Sequence, residues 1–270
     1  MQIGIASGRP VWHEDGVVFE VQGAEGFDAR LGLASLLGGL GGLSRGEAIA
    51  GSVEWEAPFP MPTQLFAIGL NYRHHAHEMG LAIPTSPMVF TKFPSSIGAP
   101  NCDVRIPGGT TDWEAELVVV MGRGGRNFSA AEALSCVAGY MVGQDFSERT
   151  VQMANSPAQF SLGKSYENFA PMGPWLTTSD SIGDPQNLRI ECRVNGDVMQ
   201  SESTSDMAYS VAEIVSHISQ VVEVRPGDLI FTGSPAGVGQ GLKPPRFLQP
   251  GDIVETSISG LGAISNRMKG

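Results

Sequence analysis

The sequence is poor in cysteine, in basic residues and in long apolar runs. Its 270 residues include three cysteines, which are too few and too scattered for a disulfide framework or a cysteine-based zinc site. Lysine and arginine together number 17 against 28 acidic residues, so the formal net charge is −11, and they form no basic run. That balance argues against a nucleic-acid-binding surface.

Two further absences concern membranes and export. No apolar stretch reaches the length of a membrane span, and the first residues, MQIGIASGRPVW, lack the basic start and apolar run of a signal peptide. With all three thiols expected to be reduced, these features predict a soluble, cytoplasmic protein that binds neither membrane nor nucleic acid. Apolar residues make up 41% of the chain, which is enough for a substantial core.

The chain divides into a small N-terminal domain, residues 1–58, and a larger domain, residues 59–270. The segment EAPFPMP at 56–62 has three prolines in seven residues, which is typical of a linker. The larger part has more strand signals than helix signals, including RIECRVNGDVMQ, where Asn195 and Gly196 suit a type I′ hairpin turn. Because strands and helices do not alternate regularly, we expect an α+β fold with a mixed, partly rolled sheet.

Short signals mark helices and loops within this framework. Ser129 with Glu132, and Ser210 with Glu213, form sequence capping boxes and predict two helix starts. The run GVGQG at 237–241 lacks the strand–turn–helix setting of a phosphate loop, so we interpret it as a flexible turn.

The run TDWEAELVVVMG, residues 111–122, places three carboxylates at alternate positions of a strand-like segment. Because side chains alternate along a strand, Asp112, Glu114 and Glu116 share one face, and the opposite face is wholly apolar. Like charges on one face repel, so this is either an edge strand with a solvated face or the wall of a cation site. Asp145, which follows the apolar run CVAGYMVG, adds a further oxygen donor. Glu114, Glu116 and Asp145 would then bind Mg²⁺ or Mn²⁺, with Ca²⁺ as a third option.

A second group of polar residues lies in LNYRHHAHEMG, residues 70–80. If this segment is helical, His75 and Glu78 lie on one face, and the carboxylate orients the imidazole and raises its basicity. Such a pair suits a base that activates water. His74 with Glu78 and His74 with His77 are rival pairs. An exposed polar helix, or a histidine metal cluster without standard spacing, is also open.

A third group consists of single cations embedded in apolar sequence. Arg149 follows Asp145 by four residues, Lys164 lies in SLGKSYENFAPMGPW, and Lys92 lies in MVFTKFPSS. Taken one at a time, each is better explained as a surface charge. A lysine close to a carboxylate-bound metal would instead stabilise a substrate oxyanion.

Seven segments, in this order, resemble the motifs of the fumarylacetoacetate hydrolase family: GLNYRHHAHE, PMVFTKFPSSIGAPN, DWEAELVVVMGR, VAGYMVGQDFSER, GKSYENFAPMGPW, VNGDVMQ and PGDLIFTGSPAGVG. The resemblance covers about residues 64–266. It implies a mixed β-roll catalytic domain with a small, variable N-terminal domain, a homodimer, and a Mg²⁺ or Mn²⁺ site.

The resemblance also implies roles for the metal-binding and base residues. Glu114, Glu116 and Asp145 match the metal ligands of the family. His75 and Glu78 match its water-activating pair, which lies on a mobile lid. Among the rival histidine pairs, the resemblance therefore favours His75 with Glu78.

Four further positions match substrate-binding and catalytic residues of the family. Arg149, Gln152 and Lys164 match substrate and oxyanion contacts, with Lys164 in a catalytic role. Ser234 stands where the family motif TGTP usually has threonine, and it keeps the hydroxyl. The resemblance implies that Asp112 is not itself a metal ligand and that it holds the metal-binding residues in place.

The family cleaves or rearranges compounds with a 2-oxo acid or 1,3-dicarbonyl unit. The resemblance therefore implies a metal-dependent hydrolase that cleaves a C–C bond of an acylpyruvate in aromatic or dicarbonyl catabolism. An oxaloacetate-type decarboxylase or a 2-hydroxyhepta-2,4-diene-1,7-dioate isomerase would use the same metal-bound enolate. A member that has lost its chemistry and serves as a binding protein is disfavoured by the intact acids, the His–Glu pair and Lys164.

Overall fold

Strands dominate the chain, and helices are few and short. The computed structural model describes residues 1–270. The α-helices are α1 (Arg73–Glu78), α2 (Ala130–Ala133), α3 (Arg149–Gln152) and α4 (Val211–Val221). The strands are β1 (Gln2–Ala6), β2 (Arg9–Glu14), β3 (Val17–Gln22), β4 (Ser44–Ala48), β5 (Trp55–Glu56), β6 (Leu65–Gly69), β7 (Met88–Thr91), β8 (Ile97–Gly98), β9 (Asp103–Arg105), β10 (Thr111–Asp112), β11 (Ala115–Met121), β12 (Val137–Gln144), β13 (Ser147–Glu148), β14 (Ala170–Thr178), β15 (Arg189–Val194), β16 (Asp197–Ser203), β17 (Leu229–Phe231), β18 (Ile253–Ile258) and β19 (Gly262–Lys269). None of the helices has the length and apolar character needed to cross a bilayer.

The strands form one large mixed sheet and a second, smaller sheet. The large sheet has the order β4-β3-β2-β1-β14-β12-β11-β17-β6-β7, with β5 added beside β1 and β8 beside β14. The smaller sheet has the order β16-β15-β18-β19-β9, and β10 pairs with β13. Most neighbours are antiparallel, but β17 with β6, β14 with β8 and β19 with β9 are parallel. This mixed sheet with few helices confirms the predicted α+β class.

The N-terminal strands extend the large sheet. β1 pairs antiparallel with β14, which lies far away in the sequence. The proline-rich segment 56–62 is packed into this junction: Phe59 is fully buried, and the Pro58 carbonyl accepts a hydrogen bond from the Leu33 N–H. Pro58, Phe59 and Pro62 are buried, so this segment packs against the core and is not a free linker. The domain division at residue 58 stays a prediction.

The carboxylate strand lies in the interior of the sheet. β11 pairs with β12 on one side and β17 on the other, so the edge-strand interpretation is wrong. Leu117, Val119 and Met121 belong to the larger hydrophobic core, whereas Val118 and Val120 belong to a second core on the opposite face. Because both faces of β11 are covered, the acidic residues at its start lie in a region with little water.

Several local signals are confirmed. Asn195 and Gly196, with φ of 54° and 87°, join β15 to β16 as expected for a type I′ turn. The capping boxes at Ser129 and Ser210 begin α2 and α4. The apolar segment Leu33–Gly42 of the N-terminal part folds as a 3₁₀ helix.

Candidate active site

Three carboxylates converge where β11 begins and β12 ends. Oxygens of Glu114, Glu116 and Asp145 lie within 4.8 Å of one another. These residues are 8%, 1% and 0% exposed, respectively. The Asp145 N–H donates to the Glu114 carbonyl at 2.8 Å, which fixes the two residues side by side. The structure therefore brings together the three acids that the sequence selects as metal ligands.

Two glutamine side chains replace the strand pairing that is missing around Glu114. β10 ends at Asp112 and β11 begins only at Ala115. The Glu114 N–H donates to Gln144 Oε1 at 2.8 Å, and the Ala115 N–H donates to Gln200 Oε1 at 2.9 Å. Buried N–H groups need hydrogen-bond partners. The two glutamine side chains supply them for Glu114 and Ala115, where the strand pairing is interrupted. Sequence reasoning missed both glutamines; the only local signal is a polar residue at the end of an apolar run.

Two cations compensate Glu114. Lys164 Nζ lies 2.8 Å from Glu114 Oε2, 2.6 Å from Asp145 Oδ2 and 2.8 Å from Ser147 Oγ. Arg149 Nη1 lies 2.7 Å from Glu114 Oε1. Burial opposes ionisation of Glu114, but Lys164 and Arg149 outweigh it and lower the pKa of Glu114 to about 2. All three donors of the Lys164 ammonium are engaged in this arrangement.

Glu116 has no such compensation. Its Oε2 accepts a hydrogen bond of 2.7 Å from the Gly233 N–H, and it forms no ion pair with a lysine or arginine. Burial raises the pKa of Glu116 well above its usual range, and the charges of Asp145 and Glu114 raise it further. A buried carboxylate beside two others is the arrangement that a bound divalent cation relieves. The oxygen-only donor set therefore fits Mg²⁺, Mn²⁺ or Ca²⁺.

Lys92 ties the cluster to the loop that carries Lys164. Its ammonium donates to the Asp145 carboxylate and to the backbone carbonyls of Lys164 and Phe169. Lys92 and Lys164 are each 2% exposed and Arg149 is 7% exposed, so the surface-charge interpretation is wrong for all three residues. Burial lowers the pKa of Lys92, against the raising effect of Asp145.

Asp112 supports the cluster through Arg149. Its Oδ2 accepts from Arg149 Nε at 2.9 Å and Nη2 at 2.7 Å, and Arg149 in turn contacts Glu114. Asp112 also accepts the N–H groups of Gly239 and Gln240 at 2.7 and 3.0 Å. The GVGQG segment is thus held by a buried carboxylate, and its interpretation as a flexible turn is wrong.

The short helix α1 places His75 and Glu78 on one face, with His75 Nδ1 3.2 Å from Glu78 Oε2. With the Glu78 carboxylate as acceptor, Nδ1 donates, and Nε2 of a neutral imidazole then keeps its lone pair. The Gly237 N–H donates to Glu78 Oε1 at 3.0 Å. Gly237 has a φ of +101°, and a Cβ there would lie 1.9 Å from the Met199 carbonyl oxygen, so only glycine fits.

His74 turns away from this pair. Its Nδ1 lies 2.6 Å from Glu202 Oε2 and 3.5 Å from Asp206 Oδ2, and the hydrogen bond to Glu202 raises the pKa of His74. His77 is exposed. The rival pairings of His74 with Glu78 and with His77 are therefore wrong, and His74 instead links the start of α1 to β16 and the turn after it.

A cavity of about 120 Å³ lies between the acid cluster and α1. Six of the nine residues that the sequence selects line it: His75, Glu114, Arg149, Gln152, Lys164 and Ser234. The other three contact lining residues: Glu78 contacts His75, Asp145 contacts Lys164, and Glu116 lies beside Glu114. The structure thus assembles the whole predicted set, while the role of each residue stays a prediction.

The sequence of this chain matches a known family of enzymes. Residues 64–269 match the family model described as fumarylacetoacetate (FAA) hydrolase C-terminal. The chain therefore belongs to the fumarylacetoacetate hydrolase family, and the resemblance seen in the sequence is confirmed.

Curated relatives carry out different reactions. The chain is 43% identical over 218 residues to the mitochondrial oxaloacetate tautomerase FAHD2A of Bos taurus, covering 80% of this chain and 69% of the relative. It is 46% identical over 217 residues to the 2,4-didehydro-3-deoxy-L-rhamnonate hydrolase of Sphingomonas sp. (strain SKA58), covering 78% and 76%. The family is thus enzymatic, and the two names describe tautomerisation and hydrolysis.

Solved structures share the fold. Fumarylacetoacetate hydrolase from Exiguobacterium antarcticum has a TM-score of 0.87 and 32% identity, covering 100% of this chain and 99% of that one. Fumarylpyruvate hydrolase from Pseudomonas aeruginosa, in complex with Mn²⁺ and pyruvate, has a TM-score of 0.70 and 32% identity, covering 82% and 94%. A relative thus binds Mn²⁺, and this chain has an acid cluster able to hold a metal ion.

Proposed function

We propose that the protein is a divalent-metal-dependent hydrolase that cleaves a C–C bond in an acylpyruvate or a related 2-oxo acid. The observation that carries this proposal is that His75, backed by Glu78, and Glu114 line the same small cavity. Hydrolysis needs one place that binds the 2-oxo acid and another that activates water, and this cavity offers both. Three hydrolases among the relatives and solved structures support it.

Glu114, Glu116 and Asp145 would hold the metal ion, Mg²⁺ or Mn²⁺, with Ca²⁺ as the third option. When bound, such an ion polarises the oxo group of the substrate as a Lewis acid. The residues around the three acids keep them in place: Lys92 holds Asp145, Arg149 holds Glu114, and the Gly233 N–H holds Glu116.

His75 is the base in this mechanism. Its Nε2 takes a proton from water, the water oxygen bonds to the distal carbonyl carbon, and the C–C bond to the pyruvate unit then breaks. The same proton returns from Nε2 to the carbon that leaves, so the products are a carboxylic acid and pyruvate. Glu78 keeps the imidazole in the right tautomer and stabilises its positive charge. A positioned base of this kind contributes roughly 10²- to 10⁴-fold in rate.

Three other residues position the substrate. Gln152 Oε1 accepts from Arg149, so its NH₂ group is free to donate into the cavity. Ser234 Oγ accepts from Gln200 and keeps its own proton for a substrate oxygen. Lys164 stabilises the oxyanion formed at the distal carbonyl, for which it exchanges one of its three present hydrogen bonds.

A second candidate is favoured by the relative named oxaloacetate tautomerase. Tautomerisation, decarboxylation and dienedioate isomerisation use the same acid cluster. They move a proton or lose carbon dioxide but need no attacking water. In that case His75 would exchange a proton with substrate carbon and would not deprotonate water.

A substrate panel tests the proposal. Acetylpyruvate, oxaloacetate and 2-hydroxyhepta-2,4-diene-1,7-dioate are incubated with the protein and Mg²⁺, with and without EDTA. We expect acetate and pyruvate in equal amounts from acetylpyruvate, and only when Mg²⁺ is present. Turnover confined to tautomerisation or decarboxylation of oxaloacetate, or to isomerisation of the dienedioate, would move the assignment to the second candidate.

We extend the proposal to a cytoplasmic homodimer that acts in the breakdown of aromatic or other dicarbonyl-yielding compounds. The family resemblance and the reduced thiols expected from three scattered cysteines support this setting. Sedimentation equilibrium of the purified chain tests the dimer, and a single species at the mass of one chain, 28.5 kDa, would overturn it.

A further inference from the structure

The cavity is lined by a few titratable side chains and by many apolar ones. Its titratable lining residues are His75, Glu114, Arg149 and Lys164. The apolar lining residues include Met79, Leu81, Phe90, Met153, Phe160 and Val238. The centre of the Phe90 ring lies 5.4 Å from Lys164 Nζ. The remaining polar lining side chains, those of Gln152, Ser234 and Gln240, carry no charge.

The two cations that line the cavity are already hydrogen-bonded to groups of the protein. Lys164 uses its three donors on Glu114, Asp145 and Ser147. Arg149 directs Nε and Nη2 to Asp112. Its Nη1 lies 2.7 Å from Glu114 Oε1 and donates to Gln152. No other lysine or arginine lines the cavity.

The net charge of the buried ion-pair network also disfavours a second carboxylate on the substrate. Its four carboxylates belong to Asp112, Glu114, Glu116 and Asp145, and its three cations to Lys92, Arg149 and Lys164. With all four carboxylates ionised, as a bound metal would require, the network has one net negative charge. A divalent ion would turn this into one net positive charge, which the carboxylate of a 2-oxo acid neutralises. A second substrate carboxylate would find uncharged donors such as Gln152 and Ser234 but no further cation, which disfavours its burial.

We infer that the substrate of this site is a 2-oxo acid whose acyl group is neutral, not a dicarboxylate. This inference rests on the proposed function and adds to it the chemical class of the distal group. Phe90, Phe160 and Met153 cover the carbon atoms of a short acyl chain. Gln152 and Ser234 are placed to donate to its carbonyl oxygen or to a hydroxyl group.

The test compares two unreactive ligands of equal length, 2-oxopentanoate and 2-oxoglutarate. They share the 2-oxo acid end and differ in a terminal methyl group or carboxylate. Calorimetric titration of the Mg²⁺-loaded protein should show 2-oxopentanoate binding at least about tenfold tighter. Met153→Lys, at a residue that is 54% exposed, should reduce this preference at least about tenfold by supplying the missing cation. Leu162→Lys is the matched control, because Leu162 is 65% exposed and does not line the cavity.

Each outcome bears on the inference. Equal or tighter binding of 2-oxoglutarate to the unaltered protein would overturn it while leaving the proposed function intact. An equal effect of Leu162→Lys and Met153→Lys would also overturn it, because the preference would then reflect long-range charge and not the cavity wall. If neither ligand binds, and acetylpyruvate is not cleaved, the proposed function falls and the inference falls with it.

Discussion

The acid cluster and the His75–Glu78 pair face the same cavity but are built in different ways. The carboxylates of Glu114, Glu116 and Asp145 lie inside the large sheet and are at most 8% exposed. Two lysines and one arginine from separate parts of the chain contact Glu114 and Asp145. The His75–Glu78 pair, in contrast, lies on α1, which has six residues.

This difference separates a fixed part of the site from an adjustable part. A helix of six residues has negligible stability on its own, so the position of His75 depends on the contacts of α1 with the rest of the protein. These include the buried side chains of Tyr72 and Ala76 and the ion pair of His74 with Glu202. Segments that admit substrate are usually drawn from the less stable parts of a fold. We therefore expect the acids to be preformed and α1 to adjust.

The first prediction concerns the fixed part. Glu116→Gln keeps the size of the side chain but removes a ligand charge, so Mn²⁺ affinity should fall at least about 100-fold. Without metal, the melting temperature should not fall, because Glu116 is a buried carboxylate with no ion-pair partner. Calorimetry and thermal unfolding measure both. Glu255→Gln, at an exposed position, is the control. Equal Mn²⁺ binding by the wild type and Glu116→Gln would show that the site is wrongly assigned.

The next prediction tests whether His75 acts independently of the metal site. His75→Ala should lower kcat for acetylpyruvate by about two to four orders of magnitude while Mn²⁺ affinity stays unchanged. Glu78→Gln should cost less, because Glu78 orients the base and does not take the proton. His77→Ala, at an exposed position of the same helix, should keep nearly full activity. A parallel loss of metal binding in His75→Ala would mean that the two parts of the site are not independent.

Mobility provides a comparison on the same molecule. Residues 72–86, which include α1, should exchange amide hydrogens faster than β11 in the free protein. Mg²⁺ with oxalate, which mimics the chelating end of a 2-oxo acid, should slow exchange in 72–86 and leave β11 unchanged. Hydrogen exchange followed by mass spectrometry measures both segments together. Equal protection of 72–86 with and without oxalate would contradict the idea of a lid.

The smallest effect concerns the exposed end of α1. Because the hydrogen bond to Glu202 raises the pKa of His74, the pair contributes stability that is fully present below about pH 6.5, the ordinary pKa of histidine. This contribution is lost as the pH rises through the raised pKa of the folded state. Denaturation midpoints of the wild type and His74→Ala should therefore differ more at pH 5.5 than at pH 9. Activity should change by about twofold or less. A larger loss would mean that the pairing of His74 with Glu202 positions His75.

Apart from the grouping of Asp145 with Glu114 and Glu116, the sequence patterns identified relations within one strand or one helix and missed relations between distant segments. The alternation in 111–122 predicted that Glu114 and Glu116 lie together, and they do, although β11 begins only at Ala115. The spacing of His75 and Glu78 worked for the same reason in α1. Gln144, which pairs with the Glu114 backbone, could not be found in this way. Its role depends on the register between β11 and β12, which no local pattern specifies.

The contacts of Lys92 show the same limit. Its neighbours in the sequence are compatible with a surface strand, and β7 is indeed at the edge of the sheet. Its ammonium is nevertheless buried against Asp145 and the loop that follows Lys164. Lys92 is buried and not at the surface because that loop folds over the end of β7. The loop comes from a segment more than 70 residues away in the sequence.

Oxygen labelling shows whether His75 directs water to the distal carbonyl. Acetylpyruvate is cleaved in ¹⁸O-water with Mg²⁺, and the acetate is analysed by mass spectrometry at early times against the enzyme-free oxygen exchange of the substrate. We expect one ¹⁸O atom from the solvent in the carboxylate of each acetate beyond that background. We also expect His75→Ala to form labelled acetate at least about 100-fold more slowly. Acetate without added label, or His75→Ala with full activity, would mean that His75 does not direct water to the substrate.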